Sequence, residues 1–272
     1  MMISEHSVKT DLFFTKNSWT PEPYGFRLKV PEAIMQKAFD LSSVFQKYSN
    51  IGRVPSWVQE GAEAFFFDVD STLIEQETID EIAKKHGLYD QIARDTAQAM
   101  AGKKDFAQSV MERVSLLKGL DAAEIAQIVQ DLTFSPGVLD LIEWCHRRGI
   151  PVFLVSGGFT LTVRFFAEKI RAKRFYASEL EIGKDGKLTG RIEGPLLDGP
   201  RKVHFYLEAC KEFALNPLRC AFVGDGSNDR NAMDRAGWAI GYDPKPVLYP
   251  HLDLKLGKGG FSFLRHFLES NL

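Results

Sequence analysis

Two aspartates, Asp68 and Asp70, stand at alternate positions directly after the apolar run AFFF. An isolated carboxylate is costly to remove from water, so acids at the end of an apolar run indicate a partner. A third aspartate, Asp225, follows the run AFVG. Carboxylates that face one another repel and stay partly protonated unless a cation lies between them. Because carboxylates and water are the usual ligands of a hard divalent ion, this set predicts a Mg²⁺ site.

The residues near these acids also favour phosphate as the ligand of the site. Ser156 and Gly157 follow the run VFLV and offer hydroxyl and backbone N–H donors at the start of a predicted helix, while Lys202 adds a positive charge. A metal-bound carboxylate can attack phosphorus, and a second acid two residues on can protonate the leaving oxygen and then activate water. We therefore interpret Asp68 as a nucleophile and Asp70 as a general acid and base.

The elements that must position these residues alternate between two patterns. Strand-like runs (AFFF, IPVFLVS, RCAFVGD and WAIGY) alternate with helical patterns, and a hairpin is predicted across GKDG. Between the first and second of these strands, residues 76–134 carry only helical patterns. The sequence therefore predicts an α/β fold, a doubly wound and mostly parallel sheet with an inserted helical cap. Ligands bind beyond the carboxyl ends of such strands, so the three polar clusters should converge in one crevice.

The predicted domains follow from the same patterns. Residues 61–75 and 135–272 form the core domain, and residues 76–134 form the cap. Residues 1–60 are an N-terminal extension of unknown role, in which an amphipathic helix is predicted to start at Pro31. We expect the apolar face of that helix to pack on the main body, with a homodimer contact as the alternative.

Four blocks in this order and spacing (DVDSTL, SGGF, a lysine and GDGSND) resemble those of the haloacid dehalogenase-like phosphatase superfamily, whose core is Rossmann-like. Within it, DVDSTLIEQETIDEIA, QAMAGKKDFAQSVMERVSLLKG and GKLTG are similar to the phosphoserine phosphatase family. The resemblance covers about residues 62–248. The first 60 residues and the tail after that stretch depart from the family pattern.

The resemblance implies overlapping catalytic and metal sets. Asp68 would accept the phosphoryl group, Asp70 would be the acid and base, and Lys202 would neutralise charge. Mg²⁺ would be held by Asp68, by Asp225 and by the backbone carbonyl of Asp70. Asp229 would support these residues by orienting its neighbours.

The resemblance also implies a substrate set that reads an amino acid as well as a phosphate. Phosphate would meet Ser156, Gly157 and Asn228; the amine would meet Glu77; the carboxylate would meet Arg113; and the apolar lining would be Met100 and Phe106. Thr72 and Thr78 each precede a glutamate by three residues, the spacing of a helix capping box, so Glu75 and Glu81 are left out of the site. Thr72 keeps a supporting role.

Structural roles remain open for several of these residues. Ser156 has the residue type of a helix N-cap, as do Asn228 and Asp225. Glu77 could instead have a purely structural role, in which its negative charge stabilises the N-terminus of a helix. Arg113 lies on an otherwise apolar helix face, where its positive charge needs an anion. A carboxylate inside the cap could supply that anion, and so could the carboxylate of a substrate.

Composition narrows the class of partner. The net charge is −2, with 34 basic residues scattered among 36 acidic ones, so no electrostatic footprint for nucleic acid or an anionic membrane is present. No stretch reaches the roughly 18 apolar residues of a membrane span. The three cysteines lack a C-x-x-C spacing and fit reduced, structural thiols. We expect a cytoplasmic protein with a small-molecule partner.

The sequence and the resemblance together predict a Mg²⁺-dependent phosphomonoesterase. It would hydrolyse O-phosphoserine to serine and phosphate through an aspartyl-phosphate, the last step of serine biosynthesis. The alternatives are transfer of the phosphoryl group to an alcohol, or another small phosphorylated metabolite as the substrate. A signalling receiver phosphorylated on Asp68 is disfavoured, because Asp70 is placed to hydrolyse the acyl phosphate.

Overall fold

A seven-stranded sheet lies at the centre of the protein in the computed structural model, which describes residues 12–13, 53–100 and 105–271. Ahead of it, two short strands pair antiparallel: β1 (Leu12–Phe13) and β2 (Arg53–Val54). The strands of the main sheet are β3 (Ala64–Phe67), β4 (Val152–Phe159), β5 (Arg174–Ile182), β6 (Leu188–Glu193), β7 (Cys220–Gly224), β8 (Trp238–Tyr242) and β9 (Leu254–Leu256). Their spatial order is β6-β5-β4-β3-β7-β8-β9, and every pair is parallel except the β5–β6 hairpin.

The central strand β3 explains why the sheet carries helices on both faces. All four of its residues are buried, which is typical of a parallel strand covered on each side. Phe65 and Phe67 belong to the apolar cluster on one face of the sheet, and Phe66 belongs to the cluster on the other. Phe66 is in register with Phe153 of β4 and with Phe222 of β7.

The helices are named in chain order. They are α1 (Thr78–Lys85), α2 (Tyr89–Met100), α3 (Phe106–Ser115), α4 (Ala122–Gln130), α5 (Val138–Arg147), α6 (Thr160–Lys169), α7 (Gly199–Glu212), α8 (Arg230–Met233) and α9 (Gly260–Asn271). Helices α5, α6 and α9 contribute to the cluster that holds Phe65 and Phe67, whereas α7 and α8 contribute to the cluster that holds Phe66. This two-sided packing confirms the predicted α/β fold with a doubly wound, mostly parallel sheet.

Helices α1 to α4 follow one another between β3 and α5 and form the predicted helical insertion. The two chain segments that lead into and out of it lie side by side. Ile74 and Phe134 form an antiparallel bridge, and the backbone N–H of Ser135 donates to the carbonyl of Leu73 at 2.9 Å. The insertion therefore joins the core through a pair of adjacent strand-like segments. Its boundaries at residues 75/76 and 134/135 stay a prediction.

The tail of the chain adds two elements that the sequence analysis did not predict. Strand β9 extends the sheet beside β8, and α9 packs against α5. The amphipathic helix predicted from Pro31 lies outside the described residues. Among the described residues, none of the helices combines the length and the apolar character that crossing a membrane requires.

The contact between α5 and α9 gives a prediction about stability. Gly137 and Gly149 flank α5 and both have positive φ, +81° and +69°. A Cβ on Gly137 would meet the side chain of Ser262 and lie 2.6 Å from its backbone nitrogen, whereas a Cβ on Gly149 would meet nothing within 4 Å. Gly149→Ala should cost about 1–3 kcal/mol of unfolding free energy from backbone strain alone. Gly137→Ala should cost about 1–3 kcal/mol more, because α9 must shift.

Urea denaturation of both variants measures the difference, provided that the slope m stays unchanged. Equal losses in the two variants would contradict the close packing of α9 against the start of α5.

Candidate active site

Three polar clusters meet at the carboxyl edge of the sheet. Asp68 follows β3, Ser156 lies near the end of β4 and Asp225 follows β7. Since β3 lies between β4 and β7, the crevice at its end is the point where the strand order reverses. The structure thus brings together the residues that the sequence placed in one crevice.

A buried lysine joins two of these clusters. Lys202 lies in the first turn of α7 and is fully buried. Its Nζ is 2.7 Å from Oδ2 of Asp68 and 2.6 Å from Oδ1 of Asp229. Burial alone would lower the pKa of Lys202, but the carboxylates of Asp229 and Asp68 outweigh it and raise the pKa above its ordinary value. Lys202 is therefore a fixed cation.

Asp229 supports this arrangement through both of its oxygens. While Oδ1 meets Lys202, Oδ2 accepts the backbone N–H groups of Asp225 and Gly226 at 3.1 and 3.0 Å. The orienting role of Asp229 stays a prediction, and these contacts are the ones that such a role requires. They use three of the roughly four acceptor sites of the Asp229 carboxylate, so this orienting role would occupy most of them.

The carboxylates themselves form a group that fits a divalent cation. One oxygen each from Asp68, Asp225 and Asp229 lie within 4.8 Å of one another, and all three residues are buried. Burial raises the pKa of Asp225 to about 8; Lys245 opposes this shift, while Asp229, Glu77 and Asp68 add to it. A bound cation would relieve this clustering of negative charge. The donor set is all oxygen, as Mg²⁺ requires.

Lys245 is a residue of this site that the sequence analysis missed. It lies in the loop after β8, where its Nζ is 3.1 Å from Oδ2 of Asp225 and its backbone N–H donates to the carbonyl of Asp225 at 2.9 Å. These two contacts connect the loop after β8 to Asp225, a candidate metal ligand. No motif marks Lys245, so only the fold could reveal it.

Asp70 is held by the start of the cap. Its Oδ1 accepts the backbone N–H of Thr78 at 2.9 Å and the Thr78 hydroxyl at 2.5 Å. Burial raises the pKa of Asp70 to about 7, and the charges of Glu77 and Asp68 add to this, whereas the Thr78 hydrogen bonds oppose it. An acid with a raised pKa suits proton transfer near neutral pH.

The two predicted capping boxes are wrong. Helix α1 begins at Thr78 with Glu77 at the N-cap position, so Thr78 is free to reach Asp70 instead of closing a box with Glu81. Thr72 lies in the turn after β3, and its buried hydroxyl has no hydrogen-bond partner among the described residues. Its supporting role stays a prediction.

The predicted phosphate-binding residues surround the same crevice. Ser156 is fully buried within β4, and its Oγ accepts the backbone N–H of Gly158 at 3.0 Å. Helix α6 takes Phe159 as its N-cap, so Ser156 does not cap it. A Cβ on Gly157 would lie 3.1 Å from Nδ2 of Asn228, which places these two residues side by side.

Glu77 faces the catalytic loop instead of capping its own helix. Its side chain makes no capping hydrogen bond, and Oε1 accepts the hydroxyl of Ser71 at 2.7 Å. Its negative charge raises the pKa of both Asp70 and Asp225. Glu77 therefore contributes negative charge to the crevice, and its contact with the substrate amine stays a prediction.

Arg113 lies on α3 inside the cap, with a side chain that is 13% exposed. Its Nε donates to the carbonyl of Ser109 at 3.2 Å and lies 3.9 Å from Oδ2 of Asp95. Asp95 is therefore a carboxylate inside the cap that pairs with Arg113, which was one of the two alternatives that the sequence left open. Met100 ends α2 and Phe106 begins α3, and the placement of these two side chains lies outside the described residues.

Comparison with known proteins adds to this geometry. The family model for haloacid dehalogenase-like hydrolases matches residues 65–234. A probable phosphoserine phosphatase of Schizosaccharomyces pombe is 38% identical over 191 residues, which cover 70% of this chain and 64% of the relative. The phosphoserine phosphatase of Archaeoglobus fulgidus is 35% identical over 80% of this chain and 61% of its own length. This chain thus spans less than two thirds of both relatives.

Other relatives are matched over nearly their whole length. The phosphoserine phosphatase of Methanocaldococcus jannaschii is 36% identical over 74% of this chain and 95% of its own. A solved structure of a phospho-aspartyl intermediate analogue of phosphoserine phosphatase has a TM-score of 0.69 and 36% identity, covering 77% of this chain and 98% of that one. A substrate-bound phosphoserine phosphatase complex has a TM-score of 0.69 and 35% identity with the same coverage.

The position of Lys202 gives a prediction about stability and pH. Lys202→Met would leave two buried carboxylates without their cation, which should cost about 3–5 kcal/mol of unfolding free energy. Lys245→Met, the matched control, removes a half-exposed lysine beside one carboxylate and should cost less than about 1 kcal/mol. Both are measured by urea denaturation at pH 8 in a chelator.

The loss in Lys202→Met should shrink as the pH falls towards 5. Without the lysine, burial holds the folded-state pKa of Asp229 above the unfolded value, so protonation of Asp229 favours the folded state. Equal losses in the two variants, or a loss that grows at low pH, would show that Lys202 does not balance these buried charges.

Proposed function

Because this chain belongs to the haloacid dehalogenase-like hydrolases, and within them to the phosphoserine phosphatase family, we propose that it hydrolyses O-phosphoserine to serine and inorganic phosphate. The observation that carries the proposal is the contact of Lys202 with Asp68. Asp70, two residues after Asp68, is held by a hydrogen bond from Thr78 at the start of the cap. A nucleophile, its counter-charge and a proton donor are then in one crevice.

The chemistry proposed for these residues has two steps. A carboxylate oxygen of Asp68 attacks phosphorus, and the bond to the serine oxygen breaks as Asp70 donates its proton to that oxygen. This yields free serine and an aspartyl-phosphate on Asp68. Asp70, now a carboxylate, takes a proton from water, whose oxygen attacks phosphorus and releases phosphate with Asp68 restored.

The surrounding residues stabilise charge and position the phosphoryl group. Lys202 would offset the negative charge on Asp68 and on the transferred group, while Ser156, Gly157 and Asn228 would donate to the phosphoryl oxygens. Asp229 would keep Lys202 in place. Since these groups are fixed before the substrate arrives, little reorganisation is needed during the reaction.

We assign the metal as Mg²⁺, held by the carboxylates of Asp68 and Asp225 and by the backbone carbonyl of Asp70. When bound, the ion supplies positive charge that orients the phosphoryl oxygens and offsets their charge. The clustered oxygens of Asp68 and Asp225 and the raised pKa of Asp225 support a cation here. Lys245 would keep Asp225 turned towards the cluster.

Recognition of the amino acid is assigned to the cap. Glu77 would meet the substrate amine, and Arg113 would meet its carboxylate with the guanidinium N–H groups that make no hydrogen bond to the described residues. In the described part of the chain, Arg113 donates only from Nε to Ser109 and from Nη1 to Thr96, at 3.2 and 3.5 Å. With respect to the described residues, three of the five guanidinium N–H groups are left to bind a substrate carboxylate.

The last step of serine biosynthesis is the reaction that this activity would perform. Transfer of the phosphoryl group to an alcohol would use the same residues and differ only in the acceptor. Less phosphate than serine, measured with an added alcohol, would reveal transfer in place of hydrolysis.

Asp68→Asn and Asp70→Asn separate the two proposed steps. Asp68→Asn keeps the shape but loses the nucleophile, so phosphate release from O-phosphoserine should fall by more than about 10³-fold, with no phosphoryl-enzyme in mass spectra. Asp70→Asn should still form the phosphoryl-enzyme from p-nitrophenyl phosphate, whose leaving group needs no proton. It should then accumulate that species, because water is no longer activated.

Thermal melts of both variants confirm that they are folded. Near-normal phosphate release by Asp68→Asn, or a phosphoryl group found on another residue, would refute the covalent step.

Binding of Mg²⁺ should stabilise the folded protein. At an Mg²⁺ concentration a hundredfold above its Kd, the protein should gain about 2.7 kcal/mol and a Tm higher by roughly 5–10 °C than in a chelator. Asp225→Asn should show a smaller rise that needs more Mg²⁺, because one charged ligand is lost. An equal ionic strength of NaCl is the control, and an unchanged Mg²⁺ response in Asp225→Asn would contradict the assigned site.

A further inference from the structure

We propose that Asp95 is a positioning residue that holds the guanidinium of Arg113 in the orientation that reads the substrate carboxylate. The inference rests on the proposed function, because it assumes that Arg113 meets a carboxylate. It adds a residue on a different helix, α2, to the part of the cap that sets specificity.

The contacts around Arg113 link Asp95 to it through Ser109. Ser109 is fully buried on α3, and its hydroxyl donates to Oδ2 of Asp95 at 2.6 Å. The carbonyl of the same serine accepts Nε of Arg113 at 3.2 Å. Asp95 Oδ2 lies 3.9 Å from that Nε, too far for a direct hydrogen bond but close enough for an ion pair.

The contacts leave one edge of the guanidinium available. Asp95 and the Ser109 carbonyl both lie at Nε, and Nη1 reaches the Thr96 hydroxyl at 3.5 Å. Nη2 makes no hydrogen bond with the residues that the structure describes. The edge formed by Nη1 and Nη2 can therefore present two parallel N–H groups, the arrangement that binds a carboxylate in a bidentate manner.

The surroundings of Arg113 connect it to the helix that carries Glu77. Burial raises the pKa of Asp80 on α1, Glu77 adds to the shift, and the positive charge of Arg113 opposes it. The charge of Arg113 thus acts on a carboxylate of α1 as well as on the one of α2, and the charge of Glu77 acts on the same α1 carboxylate. Both the side chain of Arg113 and that of Asp95 are 13% exposed, so water contributes little to holding them.

The charge and the position of Asp95 have opposite effects on how Arg113 binds the substrate carboxylate, and the geometry indicates which effect is larger. A nearby anion reduces the attraction of Arg113 for a carboxylate. However, a long arginine side chain without an anchor loses its orientation, and a misplacement of about 1 Å can cost up to 10²-fold in rate. Because Asp95 is fixed by a buried serine and leaves the Nη edge free, we infer that orientation outweighs the lost attraction.

The test compares two substrates that differ only in the carboxylate, O-phosphoserine and O-phosphoethanolamine. Arg113→Met should lower kcat/KM for O-phosphoserine by about 10²-fold or more, with a change of less than about threefold for O-phosphoethanolamine. Asp95→Asn should lower kcat/KM by roughly 10- to 100-fold for O-phosphoserine alone. Asp90→Asn, which removes an exposed carboxylate from the same helix, is the matched control and should change neither value.

The double variant Asp95→Asn/Arg113→Met shows whether Asp95 acts through Arg113. If it does, the second substitution should add no further loss for O-phosphoserine. A purely structural tie between α2 and α3 would lower both substrates equally in Asp95→Asn. That result, an additive double variant, or an Asp95→Asn that matches or exceeds the unmodified protein on O-phosphoserine would overturn the proposal.

The same measurements separate this inference from the proposed function. If Arg113→Met lowers both substrates equally, Arg113 does not read the carboxylate, and the role of Asp95 fails with it. If Arg113→Met is selective but Asp95→Asn is not, only the role of Asp95 is wrong. Arg113→Lys, which keeps the charge but loses the fork, replaces Arg113→Met if the latter does not fold.

Discussion

The ammonium of Lys202, enclosed between the carboxylates of Asp68 and Asp229, is the interaction on which the rest of the crevice depends. Two buried acids and one buried base are costly to remove from water separately, and only their mutual contact offsets the cost. The contact also joins the end of β3, the start of α7 and the turn after β7. A charge balance thus fixes the relative position of three segments that are far apart in the sequence.

Close approach of carboxylates to the backbone also determines the geometry of the site. A Cβ on Gly158 would collide with the carboxylate of Asp70, and one on Gly224 would collide with that of Asp229. The absence of a side chain at these two positions lets Asp70 lie against β4 and lets Asp229 lie against the end of β7, where it accepts the backbone N–H groups of Asp225 and Gly226. The glycines in SGGF and GDG are therefore part of the electrostatics of the site, because they permit the short distances on which it depends.

The sequence predicted the sheet and the convergence of its polar ends because both follow from local patterns. AFFF is a short apolar run bounded by polar residues, which is typical of a buried strand, and the edge that carries Asp68 follows from parallel pairing. The residues that were missed depend on long-range contacts: Lys245 reaches Asp225 from a loop after β8, and Asp95 reaches Arg113 from the neighbouring helix. Thr78 was misread because capping and catalytic-loop contacts require the same residue type at the same place. Helix α9 could have been found, since Phe261, Leu264 and Leu268 repeat at helical spacing.

The paired segments at Ile74 and Phe134 have a consequence for the origin and redesign of such proteins. Because the ends of the helical insertion lie next to each other, its two covalent connections to the core lie side by side, whatever the length of chain between them. Insertions between adjacent ends disturb a host fold little. The part of the chain that carries the reaction chemistry can therefore remain constant while a different segment, inserted at the same place, brings new substrates to it.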